Sequence, residues 1–196
     1  MRKTKLGIFL YNEVEVLDFA GPYEVFSTTV SNGVHLFEVV TISESGGIIS
    51  THKGLKVLTD FSIDEVSDLD ILIIPGGYGI DNNEIKNIRL LQWLRLQKDR
   101  VKILASVCTG AFLLAEAGLL THRKATTHWM DTERLQQEYH SIEVQKDIRF
   151  VDEGDIITAA GISAGIDMSL HIVAKLHGHS IAATTAKRME YYTAGE

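Results

Sequence analysis

The chain has 196 residues, of which 45% are apolar and 23% charged, with two prolines and a formal net charge of −7. Enough apolar residues are present to fill a core, which excludes a disordered or collagen-like chain. The acidic balance speaks against a nucleic-acid partner, whose recognition needs clustered Lys and Arg. A single cysteine, Cys108, rules out an internal disulfide and a multi-cysteine metal site.

No window reaches the roughly 20 apolar residues of a membrane span. The apolar run behind the basic N-terminus is too short for a signal peptide. The expectation is a cytoplasmic protein with no membrane partner. No repeat or low-complexity linker interrupts the sequence, so residues 1–196 read as one domain.

In chain order, residues 5–11 form a buried strand candidate, and residues 22–30 a short helix with Pro22 suited to its first turn. A second strand follows over 36–42, then hairpin-like turn signals over 46–58. Asp70-Ile-Leu-Ile-Ile74 is a third strand, ending abruptly in Pro75-Gly76-Gly77. A helix is predicted over 85–98, a strand over 101–107, and a helix over 109–117 that Gly118 closes as the C′ residue. Later come a strand at 124–127, a helix at 131–139, strands at 148–151 and 155–159, and closing helices at 164–176 and 180–191. Uninterrupted apolar strands between helices predict an α/β sandwich whose mostly parallel sheet is covered on both faces. In such folds ligands sit beyond the carboxyl ends of the strands.

Four segments at those ends carry chemistry. A buried strand runs into Cys108, then Thr109-Gly110, then a helix, which is the layout of a nucleophile elbow. An ordinary thiol is only about 3% ionised at pH 7, whereas a helix start that lowered its pKa to about 5.5 would ionise roughly 97%. The other reading of Cys108 is a buried structural cysteine. In the segment ending at Gly79, Gly76 and Gly77 either form a plain turn or leave N–H groups to stabilise negative charge beside Cys108. Asp18 either caps the following helix or turns its carboxyl to the cysteine, where the two would share one proton. His128, beyond a strand, either serves Cys108 as a base or is a structural residue beside Trp129. His171, His177 and His179 read as packing or surface. Neither a metal-binding motif nor a nucleotide-binding glycine loop occurs, so no metal and no cofactor are expected.

Asp18-Phe-Ala-Gly-Pro22, Ile74-Pro-Gly-Gly77, Ser106-Val-Cys-Thr-Gly110, Ala125-Thr-Thr-His-Trp129 and Ala160-Gly-Ile-Ser-Ala-Gly-Ile-Asp167 occur in that order. Together they make the chain resemble the ThiJ/PfpI superfamily, and within it the isocyanide hydratases. The N-terminal domains of some AraC-type regulators are similar too. The resemblance spans nearly the whole chain. It implies a flavodoxin-like three-layer sandwich, a homodimer, and Cys108 as nucleophile. It further implies Asp18 facing the sulfur and backbone N–H groups of Gly77 and Thr109 lining an anion site. Gly76, Tyr78 and His128 are expected to contact a small-molecule substrate. The implied reaction is attack of Cys108 on an isocyanide carbon to give a thioimidate, which water converts to an N-substituted formamide.

Thr109 stands where the peptidase-like members carry a histidine, so the proteolytic reading lacks its base. The regulator reading would need a helix-turn-helix for which no residues remain. The hydratases continue well beyond the point where this chain stops. Two alternatives to hydration are an oxidation sensor acting through Cys108 and a cysteine hydrolase or glyoxalase-like enzyme on small carbonyls or amides.

Overall fold

The computed structural model describes residues 2–192. Its central sheet contains β1 (Thr4–Phe9), β2 (Phe37–Ser43), β3 (Phe61–Ser62), β4 (Ile71–Ile74), β5 (Ile103–Val107), β6 (Phe150–Asp152) and β7 (Ile156–Ala159). The spatial order is β6-β7-β5-β4-β1-β2-β3. All pairings are parallel except that of β6 with β7. Ile73 lies opposite Ile8 on one side and Ala105 on the other, and Ala105 lies opposite Ile157. Every residue of β4, β5 and β7 is buried, the pattern of strands covered on both faces.

The helices longer than one turn are α1 (Val16–Thr28), α2 (Ile88–Lys98), α3 (Gly110–Glu116), α4 (Thr132–Glu138), α5 (Ala164–His177) and α6 (His179–Arg188), and a single helical turn, Gly79–Asn82, follows the glycine loop. From β1 the chain crosses to β2 on one side, and from β4 it crosses to β5 on the other. Because such crossovers are right-handed, α1 and α2 fall on opposite faces. α1 packs with α5 and α6, and α2 with α3, completing a flavodoxin-like sandwich. The reversal of direction at β1 and β4 opens a crevice beyond their carboxyl ends.

Several boundaries differ from the sequence expectation. α1 starts at Val16, so Pro22 sits inside the helix rather than in its first turn. The segment expected as one helix over 85–98 divides into a 3-10 turn, Glu84–Lys86, and α2, whose start is capped by Asn87 Oδ1 accepting from the Leu90 N–H at 3.1 Å. The strand expected at 124–127 is only Lys124–Ala125, which pairs with Glu143–Val144 outside the main sheet. The hairpin is present as Gly47–Ser50 against Lys56–Thr59. Gly118, at φ +76°, ends α3 in the left-handed conformation that a C′ glycine supplies. No helix among the described residues is long and apolar enough to cross a membrane.

Candidate active site

Cys108 follows the last residue of β5 and precedes α3, with φ at +56°. This left-handed conformation is uncommon for a residue with a side chain, and it is held on both sides. The Cys108 N–H donates to the carbonyls of Ala159 and Ala160, each at 3.1 Å, and its own carbonyl accepts from the Thr127 hydroxyl at 2.8 Å. The backbone thus turns sharply away from the sheet, and the side chain, 8% exposed, reaches a cavity of about 360 Å³.

Asp18 lies in the first turn of α1 but does not cap it: Glu15 occupies the N-cap position and makes no side-chain cap. The Asp18 side chain is wholly buried instead. Its Oδ2 accepts from the Gly76 N–H at 3.0 Å, Oδ1 is buried with no partner, and the Cys108 thiol lies near enough to bear on the carboxyl's titration. Burial pushes the Asp18 carboxyl up to about 7; the Gly76 N–H opposes that rise, the charge of Glu15 adds to it, and the thiol opposes it. Burial also pushes the Cys108 thiol well above its ordinary range, and the neighbouring Asp18 charge pushes it further. The Thr109 N–H at the sulfur acts in the opposite sense but is outweighed.

Of the two protonation patterns open to the pair, these causes favour a raised Asp18 and a neutral thiol over a thiolate at about 5.5. Thr109, the N-cap residue of the seven-residue α3, acts on the sulfur through its N–H, while burial and a neighbouring carboxylate both disfavour a second negative charge. The pair cannot ionise twice near neutral pH, and the first proton it loses belongs to the pair rather than to either atom.

The glycine loop departs from expectation in one detail. The Gly77 N–H does not stand free but donates to Thr109 Oγ1 at 3.0 Å. Thr109 Oγ1 is thereby used as an acceptor, which leaves its O–H available as a donor at the cavity. Gly76 must be glycine for space, since a Cβ there would stand 2.6 Å from Thr109 N and 2.9 Å from Asp18 Oδ2. The Tyr11 hydroxyl, donating to the Pro75 carbonyl at 2.9 Å, ties this loop to the end of β1.

Gly77, Tyr78, Cys108, Thr109 and His128 line one cavity, with Asp18 and Gly76 hydrogen-bonded to each other behind it. His128 makes no hydrogen bond to Cys108 among the described residues; its Nδ1 faces the Met130 N–H at 3.4 Å and Asp131 at 3.8 Å. The reading of His128 as base to the cysteine thus has no contact behind it. The Tyr78 ring stacks on His52 with centroids 4.2 Å apart. Sequence reasoning missed Glu15, Asp81, Met130, Asp131 and Ile162, which complete the wall. They carry no local motif, and only proximity to the motifs around Asp18, Gly77, His128 and Gly161 marked them. His171 pairs with Asp152 at 2.7 Å and lines a separate groove with His179. No cluster of three or more His, Cys, Asp or Glu side chains fit to hold a metal occurs among the described residues.

Comparison with known proteins accords with this geometry. The isonitrile hydratase of Pseudomonas putida is 34% identical over 189 residues, covering 95% of this chain and 78% of that protein. The HTH-type transcriptional regulator CdhR of Pseudomonas aeruginosa is 31% identical over 161 residues; the match covers 81% of this chain and under half, 47%, of the regulator. The crystal structure of a ThiJ/PfpI family protein from Pseudomonas syringae superposes with a TM-score of 0.87 at 26% identity, covering all of this chain and 80% of that one. The model of the DJ-1/PfpI family matches residues 4–175, and with the elbow at Cys108 and the crevice beyond β1 and β4 in the same fold, the chain belongs to the DJ-1/PfpI family.

Proposed function

We propose that this protein is a cysteine-dependent hydro-lyase that converts small isocyanides to N-substituted formamides. The observation that carries the reading is the wholly buried Asp18 carboxyl, which the Gly76 N–H holds behind the Cys108 cavity with one oxygen unpartnered. A carboxyl with a pKa near 7 both takes and returns protons at neutral pH, which hydration of an isocyanide requires twice. The similarity to an isonitrile hydratase over 95% of the chain supports the substrate class.

In the first half-reaction the Cys108 sulfur bonds to the terminal isocyanide carbon as its proton passes to Asp18. Asp18 then delivers that proton to the same carbon, leaving a neutral thioimidate with a carbon–nitrogen double bond. The Thr109 N–H steadies charge on the sulfur during attack. In the second half-reaction a water molecule gives its oxygen to the carbon and a proton to nitrogen. The carbon–sulfur bond then breaks, the remaining hydroxyl proton returns to sulfur through Asp18, and the formamide leaves. Gly76, as donor to Asp18, sets the carboxyl beside the sulfur, while Gly77 orients the Thr109 hydroxyl toward the cavity. Tyr78 and His128 flank the substituent on nitrogen. No cofactor takes part, and assembly as a cytoplasmic homodimer belongs to the same proposal on family grounds.

The test is formamide formation from an alkyl isocyanide, followed by absorbance, with Cys108→Ala alongside. The parent should turn over, and the variant should lose at least a thousandfold. Absence of turnover in the parent, with stoichiometric oxidation of Cys108 by dilute peroxide, would transfer the assignment to a redox sensor.

A further inference from the structure

The cavity above Cys108 has an uneven electrostatic wall. Glu15, Asp81 and Asp131 all line it, and no lysine or arginine does. Arg134 reaches the wall from outside, pairing with Asp81 at 2.6 and 3.0 Å and lying 3.8 Å from Asp131, but it is also engaged by Glu138 at 2.9 Å. Glu15 makes no ion pair among the described residues. One guanidinium, with the His128 ring 3.8 Å from Asp131, thus faces three lining carboxylates. Cys108 lines the cavity, with the buried Asp18, whose Oδ1 has no partner, behind it.

We propose that this wall makes the site selective by charge: it admits uncharged or cationic molecules and repels carboxylates, sulfonates and phosphates. The inference rests on the functional reading above for its chemistry, and there it fixes the substrate class. The isocyanide carries a neutral or ammonium-bearing substituent on nitrogen, packed against Tyr78, Met130 and Ile162. The field reaches the reacting groups, since the charge of Glu15 raises the Asp18 pKa and that of Asp131 raises the Cys108 pKa. Carboxylates concentrated around a half-enclosed, low-dielectric cavity focus their field on anything entering it.

Charged methanethiosulfonates test this without any isocyanide, because they label the thiol directly. Second-order labelling rates of Cys108 are measured by mass spectrometry for the trimethylammonium-ethyl and sulfonato-ethyl reagents. Their ratio is divided by the same ratio for 2-mercaptoethanol. The corrected preference for the cation should be about tenfold or more at low ionic strength and shrink in high salt. Glu15→Gln should reduce it roughly threefold or more, the scale for one charge at a partly solvated site. Glu15→Lys should reduce it further. Only the side chain changes in these variants, and the Glu15 N–H bond to the Gly76 carbonyl is kept.

A corrected ratio near one in the parent overturns the proposal. So does a large ratio that both variants leave untouched, for it would then belong to the charge of the Cys108–Asp18 pair. A protein that shows the preference but never turns over an isocyanide refutes the hydration reading alone.

Discussion

Asp18 and Asp155 are the same residue type held in opposite ways. Asp155 is met by Arg123 at 2.6 and 3.3 Å and by Lys98 at 2.6 Å, so hydrogen bonds and positive charge hold its carboxyl well below the usual range. Asp18, fully buried, receives one backbone N–H, keeps one oxygen unpartnered, and rises to about 7. The fold supplies partners where a carboxylate serves only to join elements, and withholds them where a carboxyl is wanted that can gain and lose a proton. Perturbed acids of the second kind cluster at functional sites.

The largest expected effect comes from removing the starved acid. Asp18 binds its proton more tightly folded than unfolded, so its burial costs nothing below the ordinary pKa of 3.8, and the cost grows as pH rises to about 7. Asp18→Asn should therefore be more stable than the parent at pH 8, by up to about 4 kcal/mol. Urea titrations should show that gain closing toward pH 4. The same variant should lose about a hundredfold in isocyanide turnover. A variant that is less stable at pH 8 and fully active would erase the contrast between the two aspartates.

A smaller effect is expected from Gly76→Ala, whose new methyl would press on Thr109 and on the Asp18 carboxylate. Overpacking of this kind costs about 1–3 kcal/mol, and formamide formation should fall roughly tenfold as the acid shifts from the sulfur. Smallest is Asp155→Asn. Its pKa is depressed, so its contribution is present above the ordinary 3.8 and is lost as pH falls through lower values. Because this carboxylate is 42% exposed, solvent screening limits the loss at pH 7 to about 1 kcal/mol or less, and turnover should be unchanged.

Much of this arrangement was legible in the sequence. The apolar run at 70–74 and its abrupt end at Pro75 located β4 and the glycine loop, and the strand-to-helix transition at Cys108 located the elbow. Pro22 misled, because a proline is read as a helix start, whereas here packing of α1 against α5 retains it inside the helix. The thiol's protonation could not be read locally, for a related reason. Local sequence reveals the α3 N–H groups but not the desolvation or the charge arriving from α1. Glu15, Asp81 and Asp131 were invisible as a group, since three segments far apart in the chain, the start of α1 and two short helical turns, bring them to one wall.

Arg134 does more than offset charge. Its guanidinium lies 4.4 Å over the Phe112 ring, while its nitrogens hold Asp81 beyond the glycine loop and approach Asp131 beyond His128. One cation thereby braces two sides of the entrance against the helix that begins just after the reactive sulfur. Both sides of the aperture therefore share a single tie, and displacing that one guanidinium would release them together.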